Sequence, residues 1–197
     1  MNVRIALTFG VAAGLLMFGV RQLLATYQLS GSGDANVGYA AVGVLIAGML
    51  VAAIAAALGQ LAVLSGHPGR TVPTGIAMLA LGACASVLGP VTFFVSMAIF
   101  AGACLYAVRA AADGRSTADA IAESCRLALA APGPTASAVA IIAAGIVAGA
   151  IVAQLLSGVL PLAGDLAAGT LGQLAVGYAA PRMDATYLKL QPGPEVS

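Results

Sequence analysis

Side chains able to carry chemistry are few in this chain, and they are scattered. His67 is the single histidine and sits in a Gly66-His67-Pro68-Gly69-Arg70 turn. One histidine cannot build a multi-histidine metal site, and no His-x-x-x-His or His–Glu pair occurs. Nothing selects any serine as its nucleophilic partner. The three cysteines, Cys84, Cys104 and Cys125, are odd in number and lack Cys-x-x-Cys spacing, so neither a disulfide framework nor a zinc site follows. The reading is of a protein that is not an enzyme and carries no metal or cofactor.

Polar groups inside apolar runs say more. Arg21 falls near the end of the first such run, where its long stem can reach water. Asp165 lies about one turn into the last run, where the helix dipole favours a carboxylate. Ionisable residues in a lipid zone are the default pointers to function, so an ion or proton site at Asp165, with Arg21 as partner, stands against a helix-end charge at the interface. Gln60, Gln154 and Gln173 are amides in or near the ends of apolar runs. They either line a polar path or hydrogen-bond between helices. Gly10-x-x-x-Gly14 and Gly145-x-x-x-Gly149 are small-residue faces that let backbones approach closely, within the chain or against a partner.

These residues need elements to position them, and composition dictates the kind. Of 197 residues, 61% are hydrophobic and 8% charged, with mean hydropathy +1.03. A water-soluble domain carries roughly a quarter charged residues. Eight per cent cannot coat a soluble particle, so most of the surface must face a lipid bilayer. The net charge of +1 offers no basic field for nucleic acid. The 25 glycines lack the three-residue period of a collagen-like chain.

The fold class expected is all-α: one polytopic transmembrane bundle of six spans, plus one amphipathic interfacial helix. The spans fall at about 5–26, 37–63, 72–88, 91–110, 135–159 and 161–180. The first has the outline of a secretory signal, but Arg21 closes it and no small-x-small site follows before Gln28; it reads as a retained span. A glycine-rich link, Ser30 to Asn36, separates the first two. The apolar stretch 71–110 is too long for one crossing, and Gly89-Pro90 divides it as a hairpin. Pro181 closes or kinks the sixth span.

Residues 116–131 differ in kind. Ala118, Ile121, Ala122, Cys125, Ala128 and Leu129 recur at helical spacing, opposite Ser116, Asp119, Glu123 and Arg126. Ser116-x-x-Asp119 has the shape of a capping box. The segment reads as a helix lying on the membrane with Ile121, Cys125 and Leu129 facing apolar atoms and Asp119, Glu123 and Arg126 facing water, stopped by Pro132-Gly133-Pro134.

Six spans place seven of the eight basic residues, all but Arg21, on one side. That bias is the one the positive-inside rule expects, so both termini are cytoplasmic and the protein belongs to the cell membrane. Tyr27, Tyr39, Tyr106 and Tyr178 fall near span ends, as interfacial rings do.

From Ala120 to Leu190 the chain resembles small uncharacterised prokaryotic multi-pass membrane proteins. The resemblance rests on the amphipathic segment ending Arg126-Leu127-Ala128-Leu129, the Pro132-Gly133-Pro134 stop, the Leu160-Pro161-Leu162-Ala163-Gly164 turn and the terminal Tyr187-Leu188-Lys189-Leu190. It implies no activity and no ligand. The size and span count are also similar to the substrate-binding subunits of vitamin transporters, whose motifs are missing here. Two function classes follow. One is an accessory or scaffold subunit packing against membrane partners or itself through small-residue faces. The other is a small transporter or ligand-binding component using Asp165 and the amides. The first is preferred, because a transport path normally shows more intramembrane polarity or interrupted helices.

Overall fold

The computed structural model describes residues 2–30, 35–87 and 105–190, and within them the chain is helical, with no strand. Seven helices are described: α1 Val3–Ser30, α2 Ala35–Leu64, α3 Pro68–Val87, α4 Ala107–Ala112, α5 Thr117–Ala130, α6 Pro132–Leu156 and α7 Pro161–Leu190. The expected Gly89-Pro90 hairpin, most of the 91–110 span and the centre of the Ser30–Asn36 link lie outside the described residues, as does Cys104.

Among the described residues two helices are long and apolar enough to cross a membrane, the Val3–Leu23 part of α1 and Pro132–Leu156, which is α6; the Val51–Leu64 part of α2 is a further apolar stretch. The α6 window has a hydropathy of 2.5 yet only 6% of it is buried inside the chain. A core helix of a soluble protein would hide such a surface. Here Ile146, Val147, Ile151 and Leu155 point outward, the arrangement a lipid-facing helix needs.

Helix boundaries follow local chemistry. The α2–α3 turn is made by Ser65, by Gly66 at φ 76° and by His67, after which Pro68 opens α3 with a φ already suited to a first turn. Ser116 caps α5, its hydroxyl oxygen accepting from the Asp119 amide at 3.3 Å and donating to the Asp119 carboxylate at 2.6 Å. Pro181 neither ends nor closes α7. The helix runs through it to Leu190, because Ala179, Ala180, Met183 and Tyr187 beyond and before it are held by burial.

α7 is the central helix, packed mainly between α1 and α6 and touching α2. Its neighbours meet it backbone to backbone. A Cβ placed on Gly10 would stand 2.6 Å from Thr170 Cα, and one on Gly14 2.6 Å from Leu166 Cα. A Cβ on Gly169 would strike the Gly10 carbonyl. On the other flank, a Cβ on Gly149 would lie 2.9 Å from Ala168 Cα, and one on Gly145 would strike Ala175. Both small-residue motifs of the sequence are thus used within the chain, against α7. Lipid supplies no hydrophobic drive for helix association, so close van der Waals contact supplies the attraction here.

Large side chains collect instead at one end. Tyr106, Leu127 and Tyr187 are almost fully buried there with Leu105, Met183, Ala120 and Ala138, where α4, α5, the start of α6 and the end of α7 converge. Tyr106 is therefore a core residue and not an interfacial ring. Its hydroxyl meets Thr135 Oγ1 at 3.1 Å, and its amide donates to Ser124 Oγ at 3.0 Å. Tyr178 is half exposed and accepts a 2.7 Å hydrogen bond from Arg182, whose guanidinium also stacks 4.3 Å above the ring.

One part of the amphipathic reading of α5 needs correction: Glu123, expected to face water, is buried. The face turned into the protein is Ala120, Glu123, Ser124 and Leu127, while Leu129 is 83% exposed and Ala118 and Ala122 are exposed too. Glu123 is acceptable inside because Arg126 clasps it with two bonds of 2.6 and 2.8 Å and Arg115 stands 3.7 Å away. The apolar stripe itself is divided: Ile121 and Ala128 pack against the buried clusters, while Leu129 is exposed.

Candidate functional site

The polar side chains buried among the long helices form two separate groups. In the first, α1 and α7 run antiparallel, with Gly14 against Leu166. Helical side chains lean toward their own N-terminus, so Arg21 leans back along α1 and Asp165 leans up along α7 until they meet. Arg21 Nε donates to Asp165 Oδ2 at 3.0 Å, and Arg21 Nη2 donates to Oδ1 at 2.7 Å. The Asp165 side chain is 2% exposed and that of Arg21 30%, so the pair opens on one side only. Both carboxylate oxygens are engaged by a planar fork, the strongest form of such contact.

The second group joins α2 to α7. Gln60 Nε2 donates to the Gln173 backbone carbonyl at 3.1 Å, and Gln173 Nε2 donates to the Ala53 carbonyl at 3.2 Å. Each amide thus grips the other helix. Both side chains are almost wholly buried, and Oε1 of each has no hydrogen-bond partner among the described residues. Swapping oxygen and nitrogen would not help, since the facing carbonyls need donors. Buried polar atoms left bare are uncommon and costly.

Asp165 and Gln173 are eight residues apart on α7, about 12 Å along the axis. The two groups do not merge into one track. Gln154 joins neither: it is exposed on α6, and its carbonyl receives the Ser157 hydroxyl at 2.8 Å. Gly10, Gly14, Gly145 and Gly149 set helix spacing around both groups. His67 is exposed in its turn. Among the described residues no set of three or more His, Cys, Asp or Glu side chains is placed to hold a metal ion.

Two residues were not singled out by the sequence. Asp184 lies one turn beyond Pro181, half covered, on the wall of a cleft that also includes Leu64 and Asn2. Burial pushes its carboxyl above the ordinary aspartate range and Asp113 pushes the same way, while Arg109 pulls it down. Arg109 itself faces Asp113 at 3.6 Å, and its Nε is buried with no hydrogen-bond partner. The available signal was Pro181, a helix interruption three residues from a carboxylate. For Glu123 the effect is opposite: the Arg126 hydrogen bond holds its carboxyl below the usual range, helped by Arg115.

Comparison of the chain with protein-family models, with curated proteins and with solved structures returns no match. The functional reading therefore rests on the molecule's own geometry.

Proposed function

We propose that this chain is a non-catalytic accessory or scaffold subunit that crosses the cytoplasmic membrane six times, with both termini in the cytoplasm, and packs against other membrane proteins or copies of itself. The observation carrying this reading is the commitment of Asp165. Both its oxygens are bonded to Arg21, so the carboxylate works as a clasp between the first and last long helices. The six-span count draws support from chain direction. Leu105 lies with Leu61 and Ser65 at the α2–α3 turn, so the chain re-enters at the end of the bundle from which α3 departs. The seven-to-one distribution of basic residues fits the same path.

The glycine motifs are no longer the partner surface in this proposal, because α7 occupies them. Partners meet the outward apolar faces of α1 and α6, along Leu7, Val11 and Leu15 and along Val147, Ile151 and Leu155. Lipid covers what partners do not.

The second reading, a small transporter or ligand-binding component, is favoured by one observation. The bare Oε1 atoms of Gln60 and Gln173 are polar atoms held in an apolar interior without protein partners. The discriminating experiment is gentle extraction of wild type, Asp165→Asn and Gln60→Leu/Gln173→Leu, with copurifying proteins and small molecules identified by mass. A scaffold retains the same protein partners in all three. Loss of a copurifying small molecule in the variants, with no protein partner in any sample, decides for the transporter.

A further inference from the structure

Pro181 sits inside α7 and brings no amide hydrogen to the carbonyl four residues earlier, that of Gly177. Gly177 has no side chain, so it can line a cavity only with its backbone. It does line one: a cleft of about 200 Å³ walled by Asn2, Leu64, Gly177, Ala180, Pro181 and Asp184. That volume holds several waters or one partly hydrated ion, a water taking about 30 Å³ of liquid. A smaller recess beside it shares Leu64, Ala180 and Asp184 and reaches Ser65 and Arg109.

The oxygen-bearing groups on the residues that wall the cleft are the Asp184 carboxylate, the Asn2 amide and the backbone carbonyl of Gly177, to which Pro181 brings no amide hydrogen. A carboxylate beside a helix carbonyl released from its ladder is hard-donor chemistry, the kind that takes a bare or partly hydrated alkali cation. Charge points the same way. Among the described residues the cleft is walled by one carboxylate and no basic side chain, and Arg109, in the smaller recess beside it, faces Asp113 at 3.6 Å. A single half-covered carboxylate suits a monovalent ion, whereas a divalent ion demands more carboxylates than wall the cleft.

We infer that the cleft between the start of α1, the end of α2 and the Pro181 interruption of α7 binds a small monovalent metal cation, held by Asp184 and the Gly177 carbonyl. The site lies apart from Arg21, Asp165 and the buried amides, and it does not depend on the scaffold reading. The raised affinity of Asp184 for a proton is the expected companion, since a half-buried carboxylate without its cation favours neutrality.

The test is thermal unfolding of the purified full chain in detergent at neutral pH, in sodium, potassium or N-methylglucamine chloride at one ionic strength. A cation that binds only the folded state raises Tm in a saturable way. Wild type is expected to gain several degrees in sodium or potassium over N-methylglucamine. Asp184→Asn is expected to show no such gain, and in N-methylglucamine to melt at or above wild type, because it replaces a half-covered carboxylate with a neutral amide. Pro181→Ala restores the amide donor to Gly177 and is expected to fold while losing most of the gain. Equal gains in wild type and Asp184→Asn would overturn the inference, as would no gain in wild type. Should Asp184→Asn not fold, an undiminished gain in Pro181→Ala overturns it. An infrared band of protonated Asp184 that persists at neutral pH in saturating sodium and potassium would do the same, leaving only a proton at the site.

Discussion

Arg21 and Asp165 come from helices at opposite ends of the sequence, and the bond between them fixes where α1 stands along α7. Removing one partner leaves a covered charge alone. For fully buried pairs that costs roughly 3–5 kcal/mol, and Arg21 is partly exposed, so a smaller loss is expected for Asp165→Leu. Arg21→Met combined with Asp165→Leu should recover much of it, since both charges leave together. Denaturant titration of the detergent-solubilised protein checks this; a double variant worse than the sum of the singles would contradict the clasp. Glu123 makes a pH prediction. Its carboxyl titrates below the ordinary 4.5 when folded, so its ion pairs stabilise the protein above that value and are lost as pH falls through the folded value. Acid should therefore loosen the α4–α5 end, and Glu123→Gln should remove the part of that pH dependence that the pairs supply, as hydrogen exchange of α5 amides can measure. The sequence offered Arg21 as a partner of Asp165 only within the ion-site alternative, since both sit near the same expected membrane face; the helix-end reading of Asp165 did not contain the pair. The burial of Glu123 was not, because a carboxylate reads as a surface residue until its two arginines are in place. Gln154 was grouped with Gln60 and Gln173 because an amide in an apolar run looks the same whether it faces a neighbour or the outside.

Helices in this chain approach through glycine, and each glycine makes a different claim. Gly10, Gly14, Gly145 and Gly149 face α7 atoms at distances no side chain can share, whereas Gly19 has nothing within 4 Å. Leucine at Gly14 or Gly149 should lower stability by at least about 1–3 kcal/mol through overpacking. Alanine at Gly19 should raise it by about 0.5–1 kcal/mol through helix propensity. The same unfolding titration ranks them, and a neutral Gly14→Leu would show that α1 does not lie on α7 as described. The Gly-x-x-x-Gly spacing was readable as close packing. Its partner was not, since sequence spacing defines a face without naming what meets it. α5 carries the same lesson in reverse. Its apolar stripe was visible, but hydrophobicity separates apolar from aqueous surroundings, and next to a bilayer the outside can be apolar too. Spin labels scanned through 117–130 should be least mobile at Ala120, Glu123, Ser124 and Leu127, with Leu129 free of protein contact. Immobilisation centred on Ala118, Ala122 and Leu129, the exposed positions, would contradict this face. Pro181 failed as a stop signal because the buried residues on both sides of it hold α7 together more strongly than one missing hydrogen bond opens it.

The whole molecule is a layered object: a glycine-spaced slab of α1, α7 and α6, joined by α2, with a large-residue core closing one end. Its all-helical class was legible in apolar runs of about 20 residues, while 61% hydrophobic and 8% charged residues pointed to a surface that meets lipid. Among the described residues two helices are long and apolar enough to cross a membrane, where six spans are expected of the whole chain. Crossing number is a property of chain path and lipid together, so it calls for a measurement in the membrane. Single cysteines introduced into a cysteine-free chain, at Ser32, His67, Gly89, Arg115, Gly158 and Arg182, can be labelled in intact cells with a membrane-impermeant reagent. The account predicts labelling from outside at Ser32, Gly89 and Gly158, and only after permeabilisation at His67, Arg115 and Arg182. Labelling of Gly89 and Arg115 from the same side would contradict it.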